Sequence, residues 1–338
     1  MESLNILRPG IEQMPGLFCS ESSVRGVVSN IEKGSGADVC DIHLLQIAAP
    51  IENRLGLPRP DWERILQWVG NNVAPESRDE AVWELARQWM NLLQQALPAG
   101  YQCYESTNFL ILTRNVEKAG IRLLKWSENV RDAILMLLPH IANDDGLGPH
   151  VIMIFHANHT YYDYVCDFYP DEGEFGSSLG MFLRGHYNHI AVLHQPLATE
   201  RTIAHELCHS LLAHLTLPLW LNEGITQMTE SHVMGADYGE DSRDLRRRHR
   251  EQWDADTIQS FWSGEAFFAP DDRQELSYHL ARILCEQMIE DFPAQMANFV
   301  NNADEHDAGE GALLEHCHLS LGDRAAIVLG SGDWKPRL

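Results

Sequence analysis

Residues 202–224, TIAHELCHSLLAHLTLPLWLNEG, constrain the fold more than any other stretch of the chain. Ile203, Leu207 and Leu211 recur at helical spacing, so the first half reads as a helix with one buried side. Pro218 cannot continue that helix, because its ring fixes φ and removes the backbone N–H. The following LWLNEG then opens a second helix folded back against the first. At 100° per residue, His209 lies about 40° round from His205, so both rings leave one face a turn apart and can reach a single ion. Glu206 sits about 60° from His209, beside such an ion rather than on it, which is where a general base belongs. Cys208 lies about 80° off the ligand direction, which makes a thiolate ligand the poorer use of that residue. Glu223 can supply a third ligand from the returning helix, and Gly224 is read as the residue that lets the two helices approach. Three protein ligands leave a fourth position open, the property that separates catalytic from closed structural zinc.

With 17 histidines in 338 residues, H-E-x-x-H alone could arise by accident, and the proline break with W-L-N-E-G gives it context. His205, Glu206, His209 and the following W-L-N-E-G with Glu223 resemble the gluzincin metallopeptidases, in particular their peptidase-MA-like branch. The resemblance is specific over residues 202–230 and looser, as an order of elements, over about 105–290. It does not cover the first hundred residues or the last forty. It implies one Zn²⁺ per chain held by His205, His209 and Glu223, and peptide-bond hydrolysis with Glu206 as proton acceptor and later donor. It also implies an oxyanion partner on a later helix. QELSYHLARILCEQM (274–288) is similar to that helix, with Tyr278 as the candidate and His279 as its competitor. The thirteen residues between His209 and Glu223 are fewer than in the aminopeptidase branch, and no G-x-M-E-N signature is present. LGMFLRG (179–185) stands in the matching place without the acid that would hold a substrate amine, so an aminopeptidase assignment has no support. GMFL itself reads either as an edge strand for an extended peptide or as a plain sheet edge.

The remainder narrows the setting. A net charge of -24 disfavours binding to phosphate backbones, so no nucleic-acid partner is expected. The one basic run, RRRHR (246–250), lies among Asp241, Asp244, Glu251 and Asp254 and reads as a helix face with i,i+4 ion pairs. Seven scattered cysteines without a C-x-x-C pair point to reduced thiols, and no stretch has the ~18 apolar residues of a membrane span. A cytoplasmic protein without a membrane partner is the expectation. His156, His159, His186, His189 and His194 have ligand-like spacings but are placed on strands and loops, where such spacing does not align side chains. EHCH (315–318) reads as a solvated turn, and YYDY (161–164) as packing against a sheet.

Residues 61–72 and 76–97 carry apolar residues at helical spacing behind acidic or hydroxyl caps, with Trp62, Trp68, Trp83 and Trp89 packing the two helices together. LPAGYQ (97–102) marks a boundary. Beyond it come a strand at 107–113, a long helix at 116–140, and strands at 150–156 and 189–194 ahead of the motif helix. The expected fold class is α+β: a zincin-like catalytic domain with a small mixed sheet over an active-site helix and a mostly helical lower part. The expected organisation is an N-terminal, mostly helical region of unknown role at 1–100, the metallopeptidase domain at 101–290, and an acidic, partly helical extension at 291–338. The expected function is a zinc-dependent metallohydrolase acting on a peptide or protein. A catalytically silent zinc-containing peptide-binding module, and a hydrolase of a non-peptide amide or ester, stay open as alternatives.

Overall fold

A computed structural model describes residues 42–47, 51–54, 56–168, 178–235 and 243–337. Cys19, Cys40, Asp241 and most of the loop PDEGEFGSSLG lie outside the described residues. An antiparallel ribbon of β1 (Ile51–Arg54) and β2 (Leu57–Pro60) leads into α1 (Trp62–Asn72) and α2 (Arg78–Ala96). Asp61 caps α1 by accepting from Arg64 N–H at 3.1 Å. Ser77 makes no such bond, and α2 instead follows a 3₁₀ turn at Pro75–Ser77.

The centre is a five-stranded mixed sheet of β3 (Gln102–Glu105), β4 (Phe109–Thr113), β5 (His150–Phe155), β6 (Gly180–Leu183) and β7 (His189–Leu193), in the spatial order β3-β4-β5-β7-β6. β4, β5 and β7 run parallel, and the two edges are antiparallel. β4 and β5 are joined by α3 (Glu117–Leu137), a crossover that a parallel pair requires. Apart from Thr113, His150 and His189, the central strands are apolar throughout because helices cover both faces. Phe109, Ile111, Ile152 and Ile154 join one core, while Leu110, Leu112, Val151 and Met153 join the other.

The second core is closed by α1, α2 and α4 (Asn158–Val165), so it is built from residues on both sides of Leu97. Trp62 and Trp89 meet edge to face at 5.6 Å within it, with Trp68 and Trp83 half-buried beside them. Tyr161 and Tyr164 are fully buried there on α4, which also carries His159, a position read from sequence as strand or loop. His189 is buried between Tyr164 Oη, 2.8 Å from its Nε2, and the Tyr187 carbonyl, 3.1 Å from its Nδ1.

The first core receives α5 (Thr199–Leu211) and α6 (Leu219–Met234), separated by the Pro218 break. It then takes up α7 (Arg243–Gln252), α8 (Ile258–Trp262), α9 (Asp272–Asp291), α10 (Met296–Asn302), α11 (Glu310–Cys317) and α12 (Leu321–Leu329). Trp220 Nε1 donates to the Ala308 carbonyl at 2.9 Å, and Trp262 Nε1 to that of Trp334 at 2.8 Å, tying the C-terminal residues to the site helices. EHCH is not a solvated turn: it ends α11, with Cys317 buried. Among the described residues, no helix is long and apolar enough to cross a membrane.

Gly224 corrects the sequence reading. A Cβ there would come within 2.5 Å of the Ala281 carbonyl oxygen and the Cys285 sulfur, so the glycine admits α9 rather than α5. Its value to the site is indirect, because α9 wedges α6 in place from behind. Gly224→Ala should cost about 1–3 kcal/mol in chemical denaturation by overpacking this contact. A second expectation concerns pH. Burial drags His189 down to about 4, against 6.5 for a free imidazole. The unfolded chain therefore takes up this proton first, so the stability it contributes is complete above pH 6.5 and is lost as pH falls from there toward 4. His189→Gln should flatten the slope of unfolding free energy over that window by about 1.4 kcal/mol per pH unit.

Candidate metal centre

α5 turns His205 and His209 toward α6, and the second turn of α6 brings Glu223 to meet them. Their nearest ring nitrogens, both Nε2, lie 3.1 Å apart. Glu223 Oε2 is 3.5 Å from His205 Nε2, and Oε1 is 3.5 Å from His209 Nε2. Taking one donor atom from each residue, all three lie within 4.8 Å of one another, close to the spacing of about 3.4 Å that an ion bound tetrahedrally at about 2.1 Å requires. Among the described residues, these three form the cluster that could hold a metal ion.

The outer nitrogens fix the protonation pattern. His205 Nδ1 faces Glu230 Oε2 at 3.0 Å, and His209 Nδ1 faces Asn222 Oδ1 at 2.8 Å. Both oxygens accept, so each Nδ1 carries the hydrogen and each Nε2 offers a lone pair to the centre. Glu223 Oε2 is buried and without a hydrogen-bond partner. Two imidazole nitrogens and a carboxylate oxygen thus converge, a place that either a proton on His205 or a metal ion can satisfy. Burial opposes charge on His205, but the adjoining carboxylates of Glu223, Glu230 and Glu206 raise its pKa well above the ordinary histidine value. Burial likewise opposes charge on Glu223, yet the two histidines hold its pKa below normal. A proton and a metal ion compete for this place.

Glu206 stands apart from the triangle. Phe182 N–H on β6 donates to its Oε2 at 2.8 Å, and Oε1 takes no hydrogen bond from any described residue. Burial raises its pKa despite the two histidines. Gly180 leaves room for it, since a Cβ there would overlap Thr202 and lie 3.3 Å from Oε1. Cys208 is turned into the core, where burial pushes its thiol up to about 12, and it is not part of the metal cluster.

These groups floor a cavity of about 800 Å³ walled by β6 on one side and by Trp262, Phe267 and Phe268 on the other. Tyr278 lines it, packed edge to face on Phe267 at 5.1 Å, with its pKa raised by burial and by the charges of Glu223 and Glu206. Its competitor faces away. His279 stacks on His249 of α7, Nδ1 to Nε2 at 2.7 Å, while Trp253 Nε1 donates to His249 Nδ1 at 3.0 Å. RRRHR therefore does more than line a solvated face. Arg247 makes the expected i,i+4 pair with Glu251, whereas Arg248 reaches across to Asp272 and Glu275 and clamps α7 on α9. His156 and His194 stack on each other at 4.3 Å away from the metal cluster.

No protein-family model matches this chain, and no curated protein matches it in sequence.

Sequence reading missed the residues that orient the ligands. Glu230, almost fully buried, bonds His205 with one oxygen and Arg201 with the other. Asn222 and Thr226, the latter 3.3 Å from His209 Nδ1, surround the second ring. The signal was present: Glu230 is two turns beyond Glu223 on α6, and Arg201 one turn before His205 on α5. If the cluster binds added Zn²⁺, Glu230→Ala should lower that affinity by about 10–100-fold in competition titrations against a chromophoric chelator, because the His205 ring loses its anchor.

Proposed function

We propose that this chain is a zinc-dependent metallohydrolase with a zincin-like fold, acting on peptide bonds in a peptide or protein substrate. His205, His209 and Glu223 would hold the ion, and their donor set of two neutral imidazoles and one carboxylate suits Zn²⁺. The observation that carries the reading is Glu206: a buried carboxylate of raised pKa, held by one oxygen, with the other open beside the donor triangle at the floor of a substrate-sized cavity. A metal site that only braced the fold would need neither this carboxylate nor the cavity.

Zinc, when bound, supplies Lewis-acid chemistry, polarising a carbonyl and acidifying a water. The chain supplies the rest. Glu206 Oε1 accepts a proton from the attacking water and returns it to the leaving amine, while the Phe182 N–H keeps the carboxylate from rotating away. Tyr278, kept neutral by its raised pKa, donates its hydroxyl hydrogen toward the developing oxyanion. The open edge of β6, which lines the cavity, gives an extended peptide a strand to lie along. Seven scattered cysteines without a C-x-x-C pair, read as reduced thiols, support a cytoplasmic setting.

Elemental analysis should give about one zinc per chain, as the three-ligand site requires. Glu206→Gln should keep that zinc and lose about 10²–10⁴-fold in turnover of a peptide library followed by mass spectrometry. Full activity in this variant sinks the mechanism. Zinc binding without cleavage in the wild-type chain returns a silent peptide-binding module, and chelator-sensitive cleavage of small esters or amides alone returns a non-peptide hydrolase.

A further inference from the structure

β6 is the open edge of the sheet, pairing with β7 and no other described strand. Leu193 N–H donates to the Leu179 carbonyl at 2.8 Å, and Gly180 stands opposite Val192. The hydrogen-bonded pairs therefore fall at 179, 181 and 183, and Gly180 and Phe182 turn their backbone groups away from β7. Side chains alternate along the same strand, so Gly180, Phe182 and Arg184 all leave on the α5 side. Gly180 yields its space to Thr202 and Glu206, and Phe182 is buried. Arg184 is the first of the three to reach open cavity, with its guanidinium 5.9 Å from the Phe182 ring centre.

Two further observations set this side chain apart. Among the described residues, Arg184 is the one lysine or arginine lining the cavity. No carboxylate pairs with it there, whereas Arg87, Arg131, Arg247, Arg248, Arg282 and Arg324 all form ion pairs. Arg64, Arg78, Arg114 and Arg122 also form no ion pair with a described carboxylate, but none of them lines the cavity, so what sets Arg184 apart is its place at the cleft. Two strand residues span about 7 Å, so a peptide laid along β6 with its reacting bond beside Glu206 presents a group to Arg184 about two residues away. A guanidinium in that place selects a carboxylate, which it can hold with two parallel hydrogen bonds.

Resting on the hydrolase reading above, we propose that Arg184 sets the specificity of this cleft by receiving a substrate carboxylate, from an acidic side chain or a free C terminus. The test uses the zinc-loaded full chain and fluorescein-labelled octapeptides in which Glu, Gln or Lys is walked through each position, each made as free acid and as amide. Binding is read by anisotropy in the Glu206→Gln background, and kcat/KM in the active chain. The affinity ratio of Glu over Gln peptides, or of acid over amide, should fall about three- to tenfold in Arg184→Ala. In Arg184→Glu it should invert toward Lys peptides. An effect confined to one Glu position assigns the side chain, and one confined to the acid–amide comparison assigns the C terminus. Unchanged ratios, or no binding of any peptide, overturn the proposal. Binding with the expected ratios but no cleavage overturns the hydrolase reading and leaves the role of Arg184 standing.

Discussion

Two imidazoles and a carboxylate meet at the junction of α5 and α6, one donor atom of each within 4.8 Å of the others, and much of the surrounding structure holds them there. Each ring is held by its outer nitrogen: His205 by Glu230, itself tied to Arg201, and His209 by Asn222. These bonds fix which nitrogen carries hydrogen and aim the bare one inward. A site preorganised in this way stores its cost in the fold, because the rings and the carboxylate are already desolvated in place. The core that meets that cost surrounds both helices, with Trp220, Leu221 and Ile225 of α6 and Ile203, Leu207 and Leu211 of α5 all buried.

The sheet does its part from an edge. β6 holds Glu206 through the backbone hydrogen of Phe182, so the position of that carboxylate depends on strand register as well as on helix geometry. A slip of one residue would present Met181 or Leu183 to α5 instead, moving an apolar side chain into the space Gly180 leaves open. The helices on the far face of the sheet touch no ligand, yet they bury the other side of the same strands and thereby fix that register. α7 and α9 form a third support, with the Arg248 clamp and the His249–His279 stack setting the rotation of the helix that turns Tyr278 into the cavity.

Most of this was legible wherever a local rule applies. Helical spacing placed His205 and His209 on one face, the proline broke the helix, and the apolar runs at 109–113, 150–155 and 189–193 became parallel strands. β3 escaped detection because QCYE carries no apolar run, and α4 because its tyrosines resemble a packed loop as readily as a helix. The choice between Tyr278 and His279 was beyond sequence reasoning. Adjacent helix residues differ by about 100°, and only the packing of α7 against α9 decides which one faces the cleft.

The sequence by itself determined the ligand spacing, the break between the two site helices and the mixed α+β character, because each follows from backbone periodicity and the missing N–H of proline. The tertiary structure alone decided that Gly224 serves α9, that Glu230 and Asn222 orient the rings, and that Phe182 holds Glu206. Phe182 and Glu206 are 24 residues apart, and Gly224 is 57 from Ala281, separations across which no local periodicity operates. Such contacts form only when burial of two apolar cores brings their elements together.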